Sequence, residues 1–188
     1  MKRVFIIHGW GGNPDEPQLV WLKKELIKKG FEVHSPKMPN TDYPKINQWV
    51  SHLNNLVGKL DKNTYFIGHS IGCQTIMRYL ESVNGQAGGC LFIAGWFNLM
   101  DLEPEEIDIA KPWIKNKINF EKVKNNTGKI SVLLSSNEPY NYVKENKEIF
   151  ENELQAKVLV LKNRGHFAPD DGTIDIPEAL TEFMEVSK

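Results

Sequence analysis

Cysteine is scarce in this 188-residue chain, which contains only Cys73 and Cys90. Neither residue lies in a CxxC pair or in another spacing that is typical of metal ligands. We therefore interpret both as reduced residues of the core and expect no disulfide framework. No other group of side chains has the spacing of a metal site, so we predict chemistry without a metal.

An excess of charge and long apolar runs are also missing. The formal net charge is -1 and the basic residues are scattered, which argues against a nucleic-acid partner. Only four apolar residues follow Met1-Lys2-Arg3, too few for a signal peptide or a membrane span. We expect a cytoplasmic monomer with no membrane or nucleic-acid partner.

Short apolar runs alternate with amphipathic stretches along the whole chain. Six of these runs predict strands, at residues 4–7, 31–34, 65–67, 90–93, 130–134 and 158–161. Helical patterns lie between them and after the last run, at residues 19–27, 46–60, 71–80, 142–154 and 176–186. The alternation predicts one three-layer α/β domain over residues 1–188, with a mostly parallel six-stranded sheet in the order 2-1-3-4-5-6.

Residues 95–128 interrupt this alternation. They contain two prolines and several aromatic residues, and we interpret them as an excursion of short helices over one end of the sheet. Trp96 and Phe97 follow the fourth predicted strand directly. They are candidates for the wall of a substrate pocket, although a role in the core would explain them equally well.

Residues 68–72 read GHSIG and carry the clearest chemical signal. The motif G-x-S-x-G at a strand-to-helix turn is the nucleophile elbow, in which the serine hydroxyl stands clear of the sheet. Such a motif occurs by chance in roughly 6% of chains of this length. Here a strand run ends at Ile67 and a helical pattern starts at Ile71, which is the context that the motif requires. We therefore predict that Ser70 is a nucleophile.

A serine nucleophile also needs donors for the oxyanion that forms during acyl transfer. The N–H of the residue after the nucleophile, here Ile71, is one expected donor. The second should come from the loop after an early strand, and the Trp10 N–H in the glycine-rich loop 8–12 is our candidate. A glycine-rich turn without catalytic duty is the alternative, but the loop matches neither a dinucleotide-binding nor a P-loop pattern.

The general base must be one of five histidines: His8, His34, His52, His69 and His166. In this type of hydrolase the order along the chain is serine, acid, histidine. His166 lies just after the last predicted strand, at an edge where parallel sheets form their sites. We expect His8 to be structural, His52 to be solvated on its helix, and His69 to point away from the nucleophile.

The acid should follow a strand between Ser70 and His166. Glu138 is the one carboxylate in the turn after the fifth predicted strand. Asp101, beyond the fourth strand, is the alternative. From the residues alone, a surface glutamate near a helix start would also account for position 138.

The chain resembles the small YdeN-like serine hydrolases, a family that includes a retinoblastoma-binding protein of mammals. The likeness covers nearly the whole chain and depends on residues 6–12, 38–40 with 49–50, 68–72, 135–140 and 165–167. It implies an α/β-hydrolase fold, no cofactor, and a Ser–Asp–His triad whose aspartate precedes a proline. Glu138 takes that aspartate's place before Pro139, so this chain departs from the pattern. It also lacks an L-x-C-x-E segment, so no retinoblastoma-type partner is expected.

Together these features predict a serine hydrolase of the carboxylesterase type, acting on a small ester-like substrate through an acyl-enzyme. The predicted triad is Ser70, Glu138 and His166, with Trp10 and Ile71 as oxyanion donors. The alternative is a protein-binding module that keeps the hydrolase fold with weak or lost catalysis.

Overall fold

The computed structural model describes all residues, 1–188, and its centre is one parallel sheet. The strands are β1 (Arg3–Ile7), β2 (Glu32–His34), β3 (Thr64–His69), β4 (Gly89–Ile93), β5 (Lys129–Ser135) and β6 (Lys157–Leu161). Their order is β2-β1-β3-β4-β5-β6, and every neighbouring pair is parallel. The predicted fold class and strand order are thus confirmed.

Alternating side chains of each strand enter two different cores. In β1, Phe5 and Ile7 belong to a cluster of 27 buried residues, whereas Val4 and Ile6 belong to a cluster of 17 on the other face. This follows from the two-residue period of a strand when both faces are covered by helices. It also explains why the strands are continuous apolar runs in the sequence.

Seven helices cover the sheet. They are α1 (Pro17–Lys28), α2 (Ile46–Val57), α3 (Ile71–Ser82), α4 (Pro104–Lys115), α5 (Phe120–Asn125), α6 (Val143–Leu154) and α7 (Pro177–Val186), with a 3₁₀ turn at Pro169–Asp171. The smaller core packs under α1 and α7, and the larger core under the other five. None of these helices combines the length and the apolarity needed to cross a membrane.

Two details differ from the pattern in the sequence. The apolar spacing extends to Leu60, but α2 ends at Val57 because Gly58 adopts a φ of 62° that cannot continue a helix. The excursion at residues 95–128 resolves into α4 and α5. Helix α4 starts at Pro104, where the Glu106 side chain accepts from the Glu103 N–H at 2.9 Å, and it contains Pro112.

All six strands run in the same direction, so their carboxyl ends lie at one edge of the sheet. The loops after β1, β3, β4, β5 and β6 therefore converge there, and these loops carry the predicted site residues.

Candidate active site

Ser70 lies at a strained turn between β3 and α3. Its φ and ψ are 53° and -123°, a conformation that a residue with a side chain seldom adopts. The Ser70 N–H donates to the Ile93 carbonyl at 2.9 Å, which holds the turn against β4. A Cβ at Gly72 would lie 2.3 Å from the Ile7 carbonyl oxygen, and one at Gly68 would lie 2.7 Å from the Cys73 nitrogen. Both glycines of the motif are thus required by close backbone packing.

The loops after β5 and β6 bring an acid and a base together. His166 Nδ1 lies 2.7 Å from Glu138 Oε1, and the Glu138 side chain is only 1% exposed. A carboxylate accepts hydrogen bonds, so Nδ1 donates and the Nε2 of a neutral ring is left as an acceptor. Asp101 is exposed and makes no hydrogen bond or ion pair with His166.

Hydrogen bonds between the two loops fix this pair. Asn137 Oδ1 accepts from the Gly165 N–H at 2.8 Å, and Ser135 Oγ accepts from the Arg164 N–H at 2.9 Å. The Asp171 carboxylate accepts from the His166 N–H at 2.7 Å. The backbone on both sides of the acid and the base is therefore anchored before any substrate binds.

The second oxygen of Glu138, Oε2, is buried and has no hydrogen-bond partner. The nearby Tyr142 hydroxyl donates instead to the Ala94 carbonyl at 3.3 Å. Burial, followed by the charge of Glu138, raises the pKa of Tyr142 well above its ordinary value. This hydroxyl therefore stays protonated beside the acid, and Glu138 directs its one paired oxygen at His166.

Two backbone N–H groups beside Ser70 have no acceptor in the protein. They belong to Ile71, the first residue of α3, and to Trp10 in the loop after β1. The loop around Trp10 is held in place because the Gly11 N–H donates to the Thr41 carbonyl at 2.9 Å and the Trp10 indole donates to the Asp42 carbonyl at 2.9 Å. These are the two groups predicted as oxyanion donors.

Ser70 and His166 line two adjoining cavities of about 190 Å³ and 360 Å³. The first is bounded mainly by aromatic and aliphatic groups, and the second by the glycine-rich loop and the segment after His166. No hydrogen bond joins Ser70 to His166. The Ser70 Oγ instead accepts from the Trp96 indole at 3.3 Å.

Trp96, but not Phe97, lies at this site. Phe97 packs against Phe120 and Phe150 and lines a separate cavity under the helical excursion. Phe97, a predicted candidate for the wall of the pocket beside Ser70, therefore lies away from that pocket, because consecutive residues after a strand point to different sides.

Three residues of the smaller cavity were not identified in the sequence: Leu99, Glu106 and Tyr140. The sequence could have indicated Tyr140, because it lies two residues after Glu138. In the structure, the Tyr140 hydroxyl donates to Glu106 at 3.3 Å. Burial and the adjacent Glu106 raise the pKa of Tyr140 to about 12. Glu106 lies on α4 and carries no signal of its own in the sequence.

Two other histidines lie near the site, but the hydrogen bonds of their ring nitrogens are to backbone groups and not to Ser70. Buried His8 uses both ring nitrogens on backbone groups, Nδ1 with the Gly9 carbonyl at 2.8 Å and Nε2 with the Met38 N–H at 3.0 Å. His69 Nε2 donates to the carbonyl of His166 at 2.8 Å. Burial and the charge of His166 lower the pKa of His69 to about 3, so this ring stays neutral.

Two known proteins are similar in sequence to this chain along most of its length. The chain is 25% identical over 191 residues to YdeN of Bacillus subtilis (strain 168), covering 97% of this chain and 96% of YdeN. It is 28% identical to serine hydrolase RBBP9 of Rattus norvegicus, over 85% of this chain and 78% of the relative.

Solved structures give the same picture of the fold. The crystal structure of YdeN superposes with a TM-score of 0.90 at 23% identity, covering 99% of this chain and 98% of YdeN. A carboxylesterase structure from Nitrososphaera gargenis superposes with a TM-score of 0.73 at 13% identity, covering 98% and 90% of the two chains. The serine hydrolase family model matches residues 4–185, and the chain belongs to this family, with an α/β-hydrolase fold.

Proposed function

We propose that this hydrolase cleaves small carboxylic esters through an acyl-enzyme formed on Ser70. The observation that carries the proposal is the 2.7 Å hydrogen bond between Glu138 and His166, whose imidazole lines the same cavity as the serine of the elbow. The names of structural neighbours that act as carboxylesterases support an ester as substrate.

The chemistry follows the geometry of the three side chains. Ser70 Oγ attacks the ester carbonyl carbon while His166 Nε2 takes the hydroxyl proton. The negative oxygen of the tetrahedral intermediate accepts hydrogen bonds from the Trp10 and Ile71 N–H groups. Collapse of the intermediate breaks the bond to the alcohol, which takes the proton from His166. Water then attacks the acyl-enzyme with His166 again as the base. The bond between the acyl carbon and Ser70 Oγ breaks, the carboxylic acid leaves, and Ser70 takes the proton from His166.

Glu138 acts through His166. It holds the ring in the tautomer that exposes Nε2 as an acceptor and stabilises the imidazolium that forms. Trp96 holds Ser70 Oγ at the wall of the cavity, and its indole remains a donor to this oxygen as the proton leaves.

The cavity sizes support a small substrate. A space of about 190 Å³ holds a short acyl chain or a small ring, and the adjoining space of about 360 Å³ opens beside the glycine-rich loop. We assign the acyl group to the first and the leaving alcohol to the second, because the first has more apolar walls.

A fluorophosphonate probe tests the nucleophile. We expect one equivalent to bind covalently to Ser70, with the adduct located by peptide mass spectrometry. Ser70→Ala should abolish labelling, whereas Ser82→Ala, a matched change at the other end of α3, should label at the wild-type rate. A folded wild-type protein that does not label would favour the protein-binding module over the enzyme.

Substrate class is tested separately with p-nitrophenyl acetate, butyrate and octanoate and with p-nitroacetanilide. We expect a burst of about one equivalent of nitrophenol and a higher kcat/KM for acetate and butyrate than for octanoate. If the anilide were cleaved faster than the acetate ester, the proposed activity would be that of an amidase and not of an esterase.

A further inference from the structure

A separate cavity of about 500 Å³ lies under the helical excursion, between α3, α4 and α6. Its walls are mostly apolar and come from Phe97, Trp113, Ile114, Ile118, Phe120 and Ile149. Neither Ser70 nor His166 reaches it. We call it the Arg78 cavity, because Arg78 is its one deeply buried charged residue, with only 5% of its surface exposed.

The hydrogen bonds of Arg78 leave part of its guanidinium free. Nε and Nη2 donate to the Gln74 side-chain oxygen, and Nη2 also donates to the carbonyls of Trp113 and Asn116 at the end of α4. Those bonds account for the structural role of the residue as a cap of α4. A guanidinium has five N–H donors, and the two on Nη1 have no acceptor in the protein.

No carboxylate neutralises this buried charge. Arg78 forms no ion pair within 4.0 Å, and the nearby Glu81 instead accepts from the Asn119 N–H. Burial lowers the pKa of Arg78, and Glu81 offsets this only in part. The rim carries exposed Lys117 and exposed Glu153, whose charges cancel. A buried cation without a counter-ion is costly, which makes an anion a favourable occupant.

We infer that the Arg78 cavity binds a small carboxylate with an apolar body, seated with its carboxylate on Nη1 of Arg78 and its hydrocarbon against the aromatic and aliphatic walls. The charged edge selects an anion, and the apolar walls select against an inorganic one. The cavity volume lies within the range typical of small-molecule sites. This inference stands independently of the chemistry at Ser70.

Calorimetric titration with hexanoate, 1-hexanol and inorganic phosphate tests the chemistry of the site. We expect hexanoate to bind one to one, at least tenfold more tightly than either of the other two. Equal affinity for hexanoate and hexanol would overturn the role of Arg78, and equal affinity for hexanoate and phosphate would overturn the role of the walls.

Three variants locate the binding. Ile118→Trp fills the Arg78 cavity without removing any bond of Arg78, and it should abolish hexanoate binding. Leu99→Trp fills the cavity beside Ser70 instead and should leave hexanoate affinity unchanged. Arg78→Met should reduce hexanoate affinity at least tenfold while hexanol affinity stays constant. If Arg78→Met fails to fold, Ile118→Trp decides, since hexanoate binding that survives in a folded Ile118→Trp protein places the ligand elsewhere.

Discussion

The side chain of Glu138 is one methylene longer than the aspartate that the family resemblance predicts at this position. Pro139 biases residue 138 toward an extended conformation. The turn is held against the loop after β6 because the Gly165 N–H donates to Asn137 Oδ1 at 2.8 Å. Its distance to His166 is that of a charge-assisted hydrogen bond. The proposed triad therefore needs no rearrangement on the acid side.

Substitution of Glu138 tests its role as the acid. Glu138→Gln can offer an amide donor to His166 Nδ1 and select the wrong tautomer, so kcat should fall by about 10² to 10⁴. Glu138→Asp keeps the charge and should lose less. Steady-state ester hydrolysis measures both, with Asp101→Asn as the matched control that should be silent. If Glu138→Gln left kcat unchanged and Asp101→Asn lowered it, Asp101 would be the acid of the triad instead.

The core of the proposed site could be read from the sequence because each member has a local signal. Ser70 lies in a five-residue motif, and Glu138 and His166 lie in the loops that follow β5 and β6. The family resemblance favoured Glu138 over a surface glutamate. The bond from Trp96 to Ser70 and the position of Glu106 could not be predicted, because they depend on how the excursion folds back over the sheet.

At the scale of the elements, the contact between α3 and β1 determines where the nucleophile lies. The helix begins directly after Ser70 and approaches β1 so closely that Gly72 has no room for a side chain. Helix position and nucleophile position are thus coupled through a backbone contact and not through a side chain that could adapt.

We expect Gly72→Ala to lower the free energy of unfolding by about 1–3 kcal/mol and to slow labelling of Ser70 by a fluorophosphonate, because α3 must shift away from β1. Gly30→Ala is the matched control. Its Cβ would meet nothing within 4 Å, but its φ is 87°, so it should cost roughly 1 kcal/mol. Denaturant titration measures the free energy of unfolding of both variants, and fluorophosphonate labelling measures the reactivity of Ser70. An unchanged labelling rate in Gly72→Ala would show that the position of α3 does not control the nucleophile.

The strands were the most predictable elements, since strands covered on both faces are continuous apolar runs. Helix ends were less so, as α2 shows, because one glycine with a positive φ stops a helix while the apolar spacing continues past it. Only the helical character of residues 95–128 could be expected, since their two short helices pack through Trp113 and Val123 into a core formed by distant segments.

At the scale of the whole molecule, folding buries two neutral histidines near the catalytic edge. Burial lowers the pKa of His8, and burial with the charge of His166 lowers that of His69 to about 3. The unfolded chain binds protons at these rings near pH 6.5, whereas the folded chain does not. Stability therefore falls as the pH drops below about 6.5.

For His69 this loss should reach about 1 kcal/mol at pH 5.5 relative to pH 7.5. Urea unfolding at the two pH values measures it, and His69→Gln should show a pH dependence smaller by that amount. Identical pH dependence in the variant and the wild type would mean that His69 is protonated in the folded protein.

The two ends of the described chain meet at the amino edge of the sheet, opposite Ser70. The Lys2 ammonium donates to the Ser187 carbonyl, and Met1 and Lys188 line the same surface hollow. A short peptide linking residues 1 and 188 would therefore close the backbone into a circle without stretching β1 or α7. Such a circular protein would lose less chain entropy on folding and resist exopeptidases, while its catalytic edge stays as it is.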